Sequence, residues 1–451
     1  MRDFTKGDVG AHVLQLSAFI ALTAFFQTLY LVVDMYFVGR LGKEAVAGVA
    51  VAGNLTFIVL AVSQMIGVGT TTLVSHAAGR KDPQHAALVF NQSLVLSVLV
   101  GAVFYAVAMS LRTRYATALC ADAATARMAG DYLFWFIPAM ALQFTMVGMS
   151  AALRGTGNFK PGMIVQTATL VLNMALAPFL IFGWVTHRPL GVAGAALATL
   201  ISVAAGTVWL ALYFRPEKSH LQYTPRDWKP RLDVWRKLLG VGLPAGGEFA
   251  LMAVYLLIVY SISRPFGAAA QAGFGIGLRI LQAGFMPVVA LGFAVAPVAG
   301  QNFGARQPHR VRNTFKSAVL MSIGVMVLFA LLCHVAPDVM IRQFSSDAQV
   351  IAVGDEYLRI VSWNFVASGI VFVASSMFQA LGNTLPPLLT SFVRIVAVSI
   401  PAVLMSRMPG FELRWLWYLT VASVTLQMLM NLLLLRREFR LRLNYEAAPA
   451  A

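Results

Sequence analysis

The chain has 451 residues, 59% hydrophobic and 12% charged, with a mean hydropathy of +0.75 and a formal net charge of +16. Soluble domains carry about 25% charged residues, so half that share, with apolar runs of about twenty residues, excludes a soluble fold and indicates a multispanning membrane protein. The basic excess lies between the apolar runs rather than on a foldable soluble domain, which reads as membrane topology and argues against nucleic-acid binding.

Twelve apolar segments are predicted, near residues 12–38, 50–78, 86–110, 128–153, 162–183, 190–214, 236–262, 272–300, 314–336, 351–380, 388–406 and 412–435. The polar N-terminus MRDFTKGDVGAHV is followed by no small-residue cleavage site, so the first helix is expected to be retained. The longest hydrophilic interval, 215–236, contains Pro216, Pro225 and Pro230 among many charges and is expected to be a solvated linker. It divides an N-lobe (1–214, six helices) from a C-lobe (237–451, six helices). Cys120 and Cys333 have neither metal-ligand spacing nor a partner motif and read as structural.

The first segment carries the chemistry. About twenty apolar or uncharged residues lead into Asp34. A carboxylate near the centre of a membrane helix costs about 2.5–3.5 kcal/mol, so its presence needs a reason. Gln27 and Tyr30 precede Asp34 by seven and four residues and project from the same helical face. Either Asp34 lies in the headgroup region or it is an ion or proton site.

Lys and Arg number 21 in the termini and even-numbered loops against 11 in the odd-numbered loops. By the positive-inside rule both termini and the linker are cytoplasmic, in an inner (plasma) membrane. The two halves are also copies. A single shift of 225 residues pairs Gly42 with Gly267, Gly48 with Gly273, Pro83 with Pro308, Tyr132 with Tyr357, and Gly157-Asn158 with Gly382-Asn383. Six helices separate the repeats, so both enter the membrane in the same direction, around a pseudo-two-fold axis along its normal.

The motifs VDMYFVGRLGKEAVAGVA, LVSHAAGRKDPQHA, LRGTGNFKPGM, APVAGQNFGARQ and FQALGNTLPPL together resemble the multidrug and toxic compound extrusion (MATE) family, from about residue 12 to 435. The resemblance implies an all-α membrane protein of twelve helices in two six-helix bundles around a V-shaped cavity. It also implies export of amphipathic or cationic organic compounds against an inward flow of protons or sodium ions. Gln27, Tyr30 and Asp34 match the first-helix stripe of the DinF-like branch, where the Asp is the coupling carboxylate. Asn173 and Thr199 match polar positions of the fifth and sixth helices. The acid expected beside Asn173 is absent, since Ala177 stands there before Pro178. In the NorM-like branch, acids on helices seven and ten contribute as well. Here Asp355 and Glu356 lie only at the entrance of helix ten, and Glu248 stands about a turn before the expected place.

Glu248 has Met252 and Tyr255 on its helical face. Two readings remain open: a second cation or substrate site, or a structural acid paired with Arg279 or Arg394, either of which could instead snorkel. Glu248 pairs with Thr23 under the repeat, which places it roughly 16 Å from Asp34 in membrane depth. Gln64, Gln143, Gln282, Gln379 and Gln427 read as interhelical glue.

With one acid in the N-lobe, protons are favoured over sodium, which needs several oxygen ligands. The expectation is therefore a proton-coupled efflux antiporter, monomeric, with small organic substrates and the bilayer as its partners and no cofactor beyond the coupling ion. A flippase for lipid or polysaccharide precursors is the alternative. An integral membrane enzyme would require clustered His or acids at one membrane face, and the seven His are scattered.

Overall fold

The computed structural model describes residues 3–120, 122–184, 189–215 and 221–444. Residues 216–220 of the expected linker lie outside them. The described chain folds into fifteen α-helices. The first seven are α1 (Val9–Gly39), α2 (Lys43–Gly53), α3 (Leu55–Gly79), α4 (Pro83–Leu119), α5 (Ala123–Gly155), α6 (Lys160–Phe182) and α7 (Val192–Tyr213). The remaining eight are α8 (Leu232–Ser263), α9 (Gly267–Gly304), α10 (Pro308–Val335), α11 (Pro337–Arg342), α12 (Ala348–Val361), α13 (Asn364–Leu381), α14 (Leu385–Met405) and α15 (Leu413–Arg442). Among the described residues, twelve spans are long and apolar enough to cross a bilayer, with α2 and α3 counted as one.

The helices start and stop where local chemistry dictates. Asp82 and Asp122 cap α4 and α5, accepting from the backbone N–H of His85 at 2.9 Å and of Thr125 at 2.8 Å. Gly157 and Gly382 follow α5 and α13 with φ of +77° and +74°, a conformation that a Cβ disfavours. Among the described residues Lys81 and Arg306 are the non-glycine residues with positive φ, at 57° and 56°, and they too are 225 residues apart.

The duplication extends to backbone contacts. A Cβ on Gly48 would lie 3.0 Å from Ala129 N and 3.1 Å from Thr125 O. A Cβ on Gly273 would lie 3.1 Å from Gly354 N and 2.8 Å from Val350 O, the equivalents of those same two residues. The glycines therefore let α2 approach α5, and α9 approach α12, with backbones nearly touching, as small residues do in membrane helix pairs.

Two compact units result: Phe19–Gly246, and Phe4–Ala18 with Gly247 onward. This division does not fall at the 215–236 linker, because the opening of α8 packs within the first unit. A Cβ on Gly242 or Gly246 would run into the backbone of Met65 or Ala61 on α3. Residues 4–18 are held instead in the second unit. Arg310 donates to Phe4 O at 2.9 Å and Gly7 O at 2.8 Å, Gln301 accepts from Phe4 N at 3.0 Å, and Phe4 is fully buried.

Two local expectations change. The described part of the linker is not simply solvated. Buried Asn91 of α4 accepts from Thr224 N and from Trp228 Nε1 and donates to Gln222 O. Gln92 accepts from Arg231 N and donates to Lys229 O. An irregular segment close to an apolar core needs such partners for its backbone. The segment 351–380, expected as one helix, is broken into α12 and α13 at Ser362–Trp363. Ser362 Oγ bonds back to Arg359 O at 3.2 Å and lies 3.1 Å from His334 Nδ1, so it competes with the helical pattern there. The equivalent stretch of the first unit, around Pro138, stays helical within α5.

Candidate coupling site and polar face of the second unit

The first unit brings together most of the residues expected from its sequence. Asn173 Nδ2, on α6, donates to Thr199 Oγ1, on α7, at 2.9 Å, and both side chains are buried. Thr199 donates in turn to Ala195 O at 3.2 Å. From α1, the Tyr30 hydroxyl lies within hydrogen-bonding reach of Thr199 and Asn173, and Asp34 lies close enough for its charge to act on Tyr30. Asp34 Oδ1 is buried without a hydrogen-bond partner, and so is Asn173 Oδ1. Two buried acceptors without donors, one of them on a carboxylate, are costly unless something else satisfies them.

Tyr132 completes the cluster. It sits on α5, 5% exposed, close enough to interact electrostatically with Tyr30 and Asp34. It was not among the expected site residues, although its pairing with Tyr357 under the repeat was the signal that could have found it. Gln27 is exposed and makes no hydrogen bond to the group among the described residues. Ala177, where a second acid was expected, is 1% exposed in the same apolar core as Tyr132, so this unit has one acid at its site. Among the described residues no group of three or more His, Cys, Asp or Glu could hold a metal ion.

The second unit has a polar face of its own. Ser375 Oγ on α13 donates to Glu248 Oε2 at 2.7 Å. Gln427 Nε2 on α15 donates to Ser391 Oγ at 2.9 Å, and Ser391 on α14 donates to Glu248 Oε1 at 3.4 Å. Gln427 thus behaves as interhelical glue. Tyr255 hydroxyl meets Thr420 Oγ1 at 3.2 Å, and the Arg394 guanidinium lies 5.0 Å from the Tyr255 ring centroid. Met252 is 49% exposed on the same stretch of α8.

The structural reading of Glu248 required an ion pair. Among the described residues neither Arg279 nor Arg394 forms one with it. Arg279 is exposed. Arg394 stands nine residues into the 21-residue α14, close to its middle rather than near an end, so it is poorly placed to snorkel. The acids at the start of helix ten are occupied elsewhere: Asp355 pairs with Arg359 at 2.9 Å, and Glu356 with Arg414 at 3.8 Å.

A duplicated set of membrane-spanning helices, each copy with a buried polar cluster between its helices, defines the class of multi-pass membrane transporters. The MatE family model matches residues 20–179 and again 244–404, one match in each repeat, and the chain belongs to that family. It is thus a transporter of the multidrug and toxic compound extrusion type and not an enzyme. The chain is 26% identical over 403 residues to the probable multidrug resistance protein YoeA of Bacillus subtilis (strain 168), covering 88% of this chain and 87% of that one. It is 25% identical over 374 residues to the FAD transporter of Shewanella oneidensis, covering 82% and 81%. The solved outward-facing structure of a multidrug resistance MATE family transporter superposes with a TM-score of 0.90 at 22% identity, over 98% of each chain, which shows the shared fold.

Proposed function

We propose that this chain is a secondary active efflux antiporter that exports amphipathic or cationic organic compounds in exchange for inward protons, with Asp34 as the coupling carboxylate. One observation carries the assignment. Asp34 and Asn173 occupy positions filled in the second repeat by Val259 and Val398, which are 1% and 0% exposed. The same helix packing is therefore achieved without an acid or an amide. The polar pair in the first unit adds desolvation cost that folding does not require, and a coupling role accounts for it.

The charged form of Asp34 lacks a donor on Oδ1, and protonation removes the buried charge. Proton uptake would let α1 repack against α6 and α7, and proton loss would reverse the change, coupling the ion to alternating access. Asp34 with Asn173, Thr199 and Tyr30 offers few oxygens to a sodium ion, which favours the proton. The first-helix stripe is of the DinF-like kind. The transporter works as a monomer with a six-helix N-lobe (1–214) and C-lobe (237–451), in the plasma membrane of a bacterial-type cell, with both termini in the cytoplasm.

Efflux of a fluorescent cation from proteoliposomes under a pH gradient, or under a sodium gradient at constant pH, tests the reading. Efflux should follow the pH gradient and be lost in Asp34→Asn. Full pH-driven efflux in that variant would refute the coupling role. Movement of labelled lipid without movement of the cation would favour the flippase alternative.

A further inference from the structure

The repeat pairs Phe90 and Phe214 of the first unit with Phe315 and Phe439 of the second, and each pair closes a seam between two helices. Phe90 of α4 and Phe214, just after α7, stack at 4.4 Å between ring centroids, and Phe315 of α10 meets Phe439 of α15 edge-on at 6.0 Å. The linker covers the first seam. Tyr223 lies 5.8 Å from the Phe90 ring and 6.0 Å from that of Phe214, and its hydroxyl donates to Ala211 O at 3.0 Å. Phe90, Phe214 and Asn91 are fully buried as a result. The second seam lies open: Phe315 and Phe439 are half-buried, and Lys316, at the position of Asn91, is exposed.

Four exposed cations border the open seam. Arg312 and Arg436 stand three residues before the phenylalanine of their helix, and Lys316 and Arg440 one residue after it. Phe315 is near the start of α10 and Phe439 near the end of α15, so the two spans run in opposite directions and helical rotation carries all four to one side. In the first unit the same positions hold Ala87, Asn91, Ala211 and Arg215. None of the four cations forms an ion pair among the described residues. Glu438, the acid beside them in sequence, is buried and bonded to Asn383 and Arg442. The same side continues into apolar surface, with Leu320 of α10 60% exposed and Leu433 of α15 68% exposed. A positive-inside bias distributes basic residues over loops and does not require such a cluster on two helix ends.

We propose that this seam of the second unit binds an anionic phospholipid, which takes the place that the linker holds in the first. The headgroup phosphate accepts charge-assisted hydrogen bonds from Arg436 and Arg440, whose planar forks suit it, and Arg312 and Lys316 add positive charge from α10. The acyl chains follow Leu320 and Leu433 into the hydrocarbon, a gain that a free phosphate does not have. On the proposed topology this end of the two spans is cytoplasmic, where anionic headgroups attract basic residues beside the membrane. The lipid is a seated ligand rather than cargo, and its binding does not depend on Asp34.

Native mass spectrometry of the full chain, delipidated in detergent, tests this with dioleoyl phosphatidylglycerol and dioleoyl phosphatidylcholine at equal concentration. The first bound lipid should favour phosphatidylglycerol by about tenfold. Arg312→Gln, Lys316→Gln, Arg436→Gln and Arg440→Gln combined should weaken phosphatidylglycerol about tenfold and leave phosphatidylcholine within about twofold, which also reports a folded variant. If that chain is not recovered in monodisperse form, Arg436→Gln with Arg440→Gln carries the same comparison at about threefold. A matched set on the linker and α8, Arg226→Gln, Lys229→Gln, Arg236→Gln and Lys237→Gln, should leave the preference within about twofold. Equal affinities in the unmodified protein would overturn the proposal, and so would the same loss from the linker set, which would mark diffuse surface charge only. Binding of glycerol phosphate, the headgroup without chains, at the same concentration would overturn it too. So would a preference that arises only on removing residues 445–451, which would assign the seam to the chain's own end.

Discussion

Tyr30 and Tyr255 occupy equivalent positions in the two repeats, and each reaches a threonine on the last long helix of its own unit, Thr199 and Thr420. Both threonines lie seven residues after the starts of their helices, α7 and α15, although the 225-residue shift would pair Thr199 with Val424. Around this common Tyr–Thr contact the units diverge. The first adds Asp34 and Asn173; the second has Val259 and Val398 there and places its acid, Glu248, two turns away on the face of Arg394. One ancestral packing solution thus carries two polar arrangements.

The Oδ1 of Asp34 is buried and unpartnered, so Asp34→Asn removes a charge that the fold does not compensate. The variant should have a thermal midpoint no lower than that of the parent, while pH-driven efflux is abolished. A variant that lost activity by unfolding instead would show a lowered midpoint by scanning fluorimetry.

Asn173 and Thr199 should separate stability from function. Asn173→Val copies what Val398 does in the second repeat and should cost less than about 1.5 kcal/mol. Thr199→Val leaves the Asn173 amide without its acceptor and should cost about 1–3 kcal/mol. Denaturation in detergent would rank the two, and proteoliposome efflux would show both to be impaired.

Gly48→Ala and Gly273→Ala make a matched pair, because each added methyl meets the backbone of α5 or α12 at about 3 Å. Each should destabilise its own unit by about 1–3 kcal/mol. Limited proteolysis should then find new cleavage confined to the unit that carries the substitution.

The N-terminal segment should loosen on its own. Arg310 holds Phe4 O, Gly7 O and Asn302 Oδ1 at 2.8–2.9 Å, so Arg310→Ala removes the side chain that fastens residues 4–7. Hydrogen exchange should quicken in that segment and in α1 up to Ala18, with little change in α3 and α5.

Asp122, outside the membrane spans, gives a prediction with a defined pH sign. The backbone N–H of Thr125, and then its hydroxyl, hold the Asp122 carboxyl below the ordinary carboxylate range. A depressed folded value means that the cap contributes above the unfolded value near 4 and is lost as pH falls through the folded one. Asp122→Ala should therefore lower the thermal midpoint at pH 7, and the difference from the parent should shrink as the pH falls below about 4.

The sequence by itself determined the class of fold. Low charge and twelve apolar runs leave only membrane helices, because a backbone in hydrocarbon must satisfy its own hydrogen bonds. The 225-residue shift determined the duplication, because turns and close approaches tolerate few residue types, and the structure added the matched positive φ of Lys81 and Arg306. Asp34 stood out as a charge in an apolar helix, whereas Asn173 and Thr199 were legible only through the resemblance of the motifs. Tertiary structure alone decided what those groups face. Tyr132 is an aromatic residue among thirty Phe and twelve Tyr, and only packing turns it toward Asp34. Arg394 read equally well as a snorkelling or a pairing residue until its helix placed it at mid-span over Tyr255. Gln27 shares a helical face with Asp34 by spacing, yet it stays exposed while Tyr30 and Asp34 turn to α5, α6 and α7. Periodicity fixes which side chains share a face, and only the neighbouring helices decide what that face meets.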